Sequence, residues 1–594
     1  MIEIELSPGR HGEDVERRLR EWAEQDAVAR LWRRDATLWS SDPETPELAD
    51  RLGWLDLPET SPGALGPIEA LRASVPFWFT DLVLLGMGGS SLAPEVISRI
   101  MPGEGLPLTL VDTTHPGAIR DLDWLRPANT LFVVSSKSGT TIETLSLFSH
   151  FWSRTAEVVE DPGEHFVAIT DPGSPLAELA RERGFRAVFE APPDVGGRYS
   201  ALGPFGLVPA ALAAADLPAL LDEAVVAADA CRDDIRHNPG FLLGAALGEL
   251  ALAGRDKLTF EASPDWAAFP DWAEQLVAES LGKDGRGIIP IIDEPPRDPA
   301  AYGDDRVFVG LILAGEAARE AEQWGDADET PARLDALEEA GHPVVRMRLE
   351  QPGELGALFF VWEVGVATAG SILGIHPFNQ PDVQLAKRLA RRAMAGEAPS
   401  DGTRPDDPDT DSEVDAEADP DADTEADETV DLVWELPRFG HAPPRNPPPP
   451  DVDGIRTRVH DFLDEVEPTD YIAVQAYLAG GEEEDDLLAA LRAALAGTTG
   501  AATTLGYGPR FLHSTGQLHK GGADNGVFLQ LVDDAGAHVH VPESDFTFRR
   551  LIRAQALGDL GALAERERRT LRVRVGGPEG LGLRRLIQLV EERA

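Results

Sequence analysis

Three stretches of this chain carry residue types and spacings that suit work on a small anion. Ser135-Ser136-Lys137-Ser138-Gly139-Thr140-Thr141 follows the apolar run 131–134 and opens a helical pattern at Ile142-Glu143-Thr144. Hydroxyls, a glycine turn and helix N–H groups converge there, which makes Ser136, Lys137, Ser138 and Thr141 candidate phosphate ligands. The plainer reading is an N-cap with surplus hydroxyls. Gly86-Met87-Gly88-Gly89-Ser90-Ser91 likewise joins a strand pattern to a helix pattern, and backbone at Gly89 and Ser90 can approach a ligand closely. It lacks the third glycine of a dinucleotide fingerprint, and the chain has no G-x-x-x-x-G-K-[ST] loop, so no nucleotide site is indicated. The third stretch, Gln275-Leu276-Val277-Ala278-Glu279-Ser280-Leu281-Gly282-Lys283, sets Glu279 among apolar neighbours on a helical pattern. Such a setting tunes a carboxylate for proton exchange, although most isolated glutamates are surface residues.

The elements that must hold these loops can be read from the hydropathy. Short apolar runs at 81–85, 108–111, 130–135, 166–170 and 187–190 alternate with amphipathic segments. That pattern predicts a parallel sheet with helices on both faces. A second α/β region follows from about 205 to 395, with strands expected at 307–313 and 344–349. The run 358–375 is apolar enough to suggest a membrane span but carries Glu363 and three glycines, so a buried core helix is expected, with Trp362 as core packing. Residues 397–431 hold 16 Asp or Glu and one Arg, and prolines fill 447–450; such a stretch cannot bury a core and reads as a disordered linker. Patterning of the βαβ kind resumes from 471 to 532. The expected architecture is therefore 1–68 helical, 69–204 and 205–395 as two doubly wound α/β domains, 396–450 as linker and 451–594 as a C-terminal α/β segment. The two α/β regions are candidates for diverged copies of one unit.

Composition narrows the function. The formal charge is −51 over 594 residues, which argues against nucleic acid, whose binding needs clustered positive charge. Cys231 is the single cysteine, and the N-terminus lacks a signal-peptide pattern; a reducing cytoplasm is the expected compartment, with no membrane partner. No Cys/His cluster suggests a metal. His115, His237 and His342 show no partnering pattern. Only five lysines occur among 53 basic residues, namely Lys137, Lys257, Lys283, Lys387 and Lys520. A lysine kept in so arginine-rich a chain marks a place that needs a compact ammonium.

Taken together, the motifs resemble a known family. The 86–91 and 136–141 loops are similar to the sugar-isomerase domain. Val195-Gly196-Gly197-Arg198-Tyr199-Ser200, the Gln275 to Lys283 stretch and His376-Pro377-Phe378-Asn379-Gln380-Pro381-Asp382-Val383-Gln384-Leu385-Ala386-Lys387 resemble, in order, three segments of the glucose-6-phosphate isomerase family. The match covers about residues 70–390 and looks nearest to the isomerase halves of transaldolase–isomerase fusions; no transaldolase barrel fits this chain. The resemblance implies interconversion of glucose 6-phosphate and fructose 6-phosphate through a cis-enediolate, without cofactor or metal, by a homodimer. It assigns the base to Glu279, stabilisation of the enediolate to Arg198 and help with ring opening to Lys387. Gly197 and Gln380 join the substrate contacts. The alternatives are a sugar-phosphate sensor without catalysis, which has no need of Glu279, Arg198 and Lys387 together, and an isomerase with added mannose 6-phosphate activity.

One departure stands out. Between Lys283 and Gln380 the family places a segment with a ring-opening His supplied by a neighbouring subunit, and here that interval holds only His342 and His376. Beyond the acidic linker, Gly508-Pro509-Arg510-Phe511-Leu512-His513-Ser514-Thr515-Gly516-Gln517-Leu518-His519-Lys520-Gly521-Gly522 resembles the missing stretch. His513 is the expected ring-opening residue, an imidazole being able to give and take a proton near neutrality. Residues 451–594 are then a displaced part of the isomerase, returned in permuted order; the competing reading is an accessory α/β domain.

Overall fold

A computed structural model describes residues 2–394 except 317 and 320–327, residues 432–435, and residues 452–593 except 537 and 578–579. Residues 432–435, inside the expected linker 396–450, form a sheet strand instead, Leu432, Val433 and Trp434 giving it enough apolar residues to pair; the rest of that stretch lies outside the described residues. The chain forms two compact units, one of Met1–Gln384, Pro509–Asp524 and His538–Phe548, the other of Leu385–Gly508, Asn525–Ala537 and Arg549–Ala594.

The first unit holds two five-stranded sheets. Strand β1 is Glu3–Ser7, β2 Asp81–Leu85, β3 Leu108–Val111, β4 Thr130–Ser135, β5 Phe166–Thr170 and β6 Ala187–Glu190. Strands β2 to β6 lie in the order β3-β2-β4-β5-β6, all parallel. Every residue of β4 is buried, as expected of a parallel strand covered on both faces, and its sequence Thr-Leu-Phe-Val-Val-Ser is accordingly almost continuously apolar. The second sheet contains β7 Lys257–Ala262, β8 Ile289–Ile291, β9 Arg306–Leu313 and β10 Val344–Leu349. Its order is β1-β10-β9-β7-β8, with β1 antiparallel on the edge and the rest parallel.

Helix Leu355–Leu373 runs through the core of this unit, apolar all round, and ends at Gly374 in the left-handed region (φ +66°). It is long and apolar enough to cross a membrane by length and composition, yet 89% of that window is buried inside the protein. Glu363 and Trp362 are both fully buried on it. Helix Pro239–Leu252 packs against it through Gly240, Gly244 and Gly248; a Cβ on Gly244 would fall 2.0 Å from Thr368 Oγ1.

The second unit is built on β11 Leu432–Glu435, β12 Tyr471–Tyr477, β13 Ala502–Tyr507, β14 Gly526–Val532 and β15 Arg569–Val575, in the order β11-β15-β14-β12-β13. Here too the first strand is antiparallel on the edge and the other four are parallel. Taken in chain order, this is the strand order of the β1-β10-β9-β7-β8 sheet. The repeated topology therefore relates the second and third sheets, whereas the sequence pattern suggested a relation between the first and second.

Candidate active site

The loops that follow β2 and β4 lie at the C-terminal ends of neighbouring parallel strands, where ligands of open α/β sheets bind. Ser135 Oγ donates to Ser90 O (2.8 Å) and ties the two loops together. Gly88 has φ +54°, and a Cβ on Gly89 would lie 2.3 Å from Gly197 C and O, so backbone packs directly on backbone where the 86–91 loop meets the Gly197-Arg198 turn. In the second loop Ser136 Oγ and Thr141 Oγ1 are 3.0 Å apart, as are Ser138 Oγ and Thr140 Oγ1. Thr141 stands at the N-cap of helix Ile142–Ala156 without a side-chain cap hydrogen bond, so its hydroxyl is not spent on capping. Ser138 and Thr140 are exposed at this helix start. Lys137 Nζ donates to both carboxylate oxygens of Asp171, at 2.7 and 2.9 Å.

Helix Phe269–Leu281 carries Glu279, which is buried. Gln275, one turn earlier, donates from Nε2 to Glu279 Oε2 (3.1 Å), and Arg198 Nη1 lies 3.5 Å from Glu279 Oε1. Arg198 is itself buried and fixed on three sides: Nε donates to Ser280 Oγ (2.8 Å), and Nη2 donates to the carbonyls of Pro377 (2.6 Å) and Asn379 (3.1 Å). Lys283 pins the same loop, with Nζ donating to His376 O and Asn379 O, both at 2.6 Å. Burial, and after it the neighbouring Arg198, pushes the Lys283 ammonium pKa well below its usual value. A carboxylate is thus held against a cation that is locked by backbone carbonyls, a preorganised setting for charge that develops on a substrate.

The turn Arg510–His513 belongs to this unit and brings His513 to the same place. His513 Nε2 is 3.2 Å from Glu143 Oε1, and its carbonyl accepts from Gln275 Nε2 at 2.7 Å. A single amide nitrogen therefore bridges Glu279 and the backbone of His513. Farther along, Gln517 Nε2 donates to Asp382 Oδ2 (2.7 Å) and Gly282 O (3.2 Å), while Asp382 N–H donates to Gln517 Oε1 (2.9 Å). Lys520 is buried and donates to Gly516 O at 3.1 Å.

The structure thus brings Glu279, Arg198 and His513 into one contiguous set, with Gly89 packed at Gly197 and Ser90 tied to Ser135. Gln380 is exposed at the end of the pinned loop, and Lys387 is exposed on helix Val383–Met394 in the second unit. Sequence reasoning passed over Glu143, Gln275, Ser280 and Arg510. Glu143 lies in the first turn of its helix, where acids are common; Gln275 was findable, since it stands four residues before Glu279 and so on the same helix face.

Residues 76–227 match the family model described as phosphoglucose isomerase. A glucose-6-phosphate isomerase of Rubrobacter xylanophilus is 32% identical over 398 residues, covering 58% of this chain and 90% of that protein. One from Thermus thermophilus is 32% identical over 387 residues, covering 59% and 92%. Among solved structures, a hypothetical protein from Thermus thermophilus is similar with a TM-score of 0.57 and 29% identity, over 66% of this chain and 100% of that one. A glucose-6-phosphate isomerase from Chlamydia trachomatis shares the fold at a TM-score of 0.51 and 20% identity, over 66% and 88%.

Proposed function

The chain belongs to the glucose-6-phosphate isomerase family and is an isomerase of glucose 6-phosphate and fructose 6-phosphate, and we propose that the buried set around Glu279 carries out that reaction. Glu279 removes the C2 proton of the open-chain aldose, leaving an enediolate across C1 and C2, and returns the proton to C1 as another moves from O2 to O1. Arg198 stabilises the negative charge that develops on the enediolate oxygens. His513, supported by Glu143, moves the proton that opens the sugar ring. Ser136, Lys137, Ser138 and Thr141 hold the phosphate at the start of helix Ile142–Ala156. Gly89, Ser90 and Gly197 offer backbone to the sugar, and Gln380 binds its hydroxyls. The assembly is a cytoplasmic homodimer.

The observation that carries this reading is the Glu279–Arg198 pair at 3.5 Å, both members buried, with His513 linked to Glu279 through Gln275. A phosphate sensor has no use for a desolvated carboxylate beside a locked guanidinium. The test is Glu279→Gln in an assay coupling glucose 6-phosphate formed from fructose 6-phosphate to a dehydrogenase. Turnover should fall by about 10²–10⁴-fold while substrate affinity stays within about tenfold. Retained turnover would mean that another group is the base.

A further inference from the structure

Arg510 stands three residues before His513 at the start of the same turn, and nothing in the proposed chemistry uses it. Its Nη2 donates to Glu95 Oε2 at 2.7 Å, and its Nη1 lies 3.1 Å from Asp112 Oδ2. Glu95 is on helix Leu92–Ile100, which the 86–91 loop opens, and Asp112 directly follows β3. A third acid, Asp271, faces the guanidinium from the first turn of the helix that carries Glu279, and Arg99 Nη1 holds Asp271 at 3.0 Å. Burial alone would lower the pKa of Arg510; Asp112, Glu95 and Asp271 outweigh it and keep the group charged. Burial pushes Asp112 upward and Asp271 up to about 6, with the nearby Glu95 adding to both. Removing the guanidinium would leave two or three carboxylates crowded together, so the cluster is built around it.

We propose that Arg510 is a positioning residue for His513: its guanidinium, set between Glu95 and Asp112, fixes the Arg510–His513 turn so that the imidazole meets Glu143 beside the substrate. The inference rests on the ring-opening role given to His513. The other restraints on that histidine are weaker in kind. Gln275 holds its carbonyl and Glu143 its ring, while Gly88 makes room for its backbone, a Cβ there falling 2.6 Å from His513 O. Among the described residues Arg510 alone supplies a two-pronged charged anchor, and a guanidinium fork can serve two acids at once where an ammonium is a point charge.

The test separates ring opening from proton transfer. Glucose 6-phosphate arrives as a ring. 5-Deoxyfructose 6-phosphate stays open, since it lacks the C5 hydroxyl that closes the furanose and its O6 is esterified. Isomerisation of the first and C1–H exchange of the second in D2O are measured for Arg510→Met, Arg510→Lys, His513→Ala and the Arg510→Met/His513→Ala double variant. Arg510→Met should lower kcat on glucose 6-phosphate by about 10- to 100-fold with KM within about threefold, and leave exchange on the open-chain ketose within about threefold. Arg510→Lys should recover part of the loss, and the double variant should be no worse than His513→Ala. Equal loss on both substrates, or losses that add in the double variant, would overturn the proposal. So would a normal Arg510→Met beside an impaired His513→Ala. A His513→Ala enzyme with normal glucose 6-phosphate turnover would instead overturn the ring-opening role of the histidine. Should Arg510→Met fail to fold, Glu95→Gln/Asp112→Asn keeps the guanidinium and removes its anchors. That variant must show the same substrate-selective loss, and its absence would also refute the role.

Discussion

Gly89→Ala tests whether the meeting of the 86–91 loop with the Gly197-Arg198 turn sets the geometry of the proposed reacting groups. The new Cβ would sit 2.3 Å from Gly197 C and O and 2.9 Å from Arg198 N, where ordinary contact begins at 3.4 Å. These are backbone atoms, so no side chain can rotate aside and the two segments must separate by about 1 Å. Arg198 travels with its own backbone. Its pair with Glu279 spans 3.5 Å, and lengthening it by about 1 Å at an effective dielectric near 20 removes about 1 kcal/mol of attraction. Misplacement of a reacting group by that distance can cost about 10²-fold in rate. The expected result is kcat lower by about 10²-fold and stability lower by about 1–3 kcal/mol, read by the coupled assay and by urea unfolding. Gly196→Ala is the internal control. Gly196 has φ −67° and ψ 152°, and a Cβ there meets only Tyr199 Cδ2, at 3.8 Å. That variant should keep turnover within about twofold and gain up to about 1 kcal/mol from a less flexible unfolded chain. Wild-type turnover in Gly89→Ala, or an equal loss in Gly196→Ala, would refute the reasoning.

Two further predictions concern stability. Glu363 is fully buried, its carboxyl has no hydrogen-bond partner among the described residues, and burial raises its pKa well above the usual 4.5. The folded state therefore keeps a proton that the unfolded state releases, and above pH 4.5 this residue costs stability at about 1.4 kcal/mol per pH unit until the folded pKa is reached. Glu363→Gln should raise the urea midpoint at pH 7.5 and lose that advantage below pH 4.5; an advantage independent of pH would contradict the assignment. Replacing residues 397–431 by a flexible spacer should leave the thermal midpoint within about 2 °C and turnover unchanged, because an acidic, apolar-poor segment adds little buried surface. Loss of folded protein would show the segment to be structural.

The parts of the fold most legible in the sequence are the central strands of the first sheet, whose burial is nearly uniform. Strands β2 to β6 and β10 begin and end where the hydropathy pattern places them, most plainly β2, β4 and β5, which are buried almost throughout because strands covered on both faces must be apolar along their length. Strands β7 and β8 escaped for opposite reasons. Lys257–Ala262 opens with a lysine that is buried by pairing with Asp256 and Asp305, so a charged residue stands where the pattern demands an apolar one. Ile289–Ile291 is three residues long with proline at its centre, and proline argues against a strand unless it lies at an edge, which is where β8 lies. The edge strand β1 has only Ile4 and Leu6 to mark it. The site divides along the same line. Of the proposed site residues, Glu279, Arg198 and His513 were legible because each stands in a local motif. Glu143 and Arg510 were not, because the roles proposed for them rest on partners 370 and 415 positions away in the chain. An acid in the first turn of a helix and an arginine after a proline are common features of any sequence. What gives these two their meaning is that the fold returns residues 509–524 to the first unit, where a guanidinium among acids and an imidazole beside a carboxylate are each paired with the charge that burial requires.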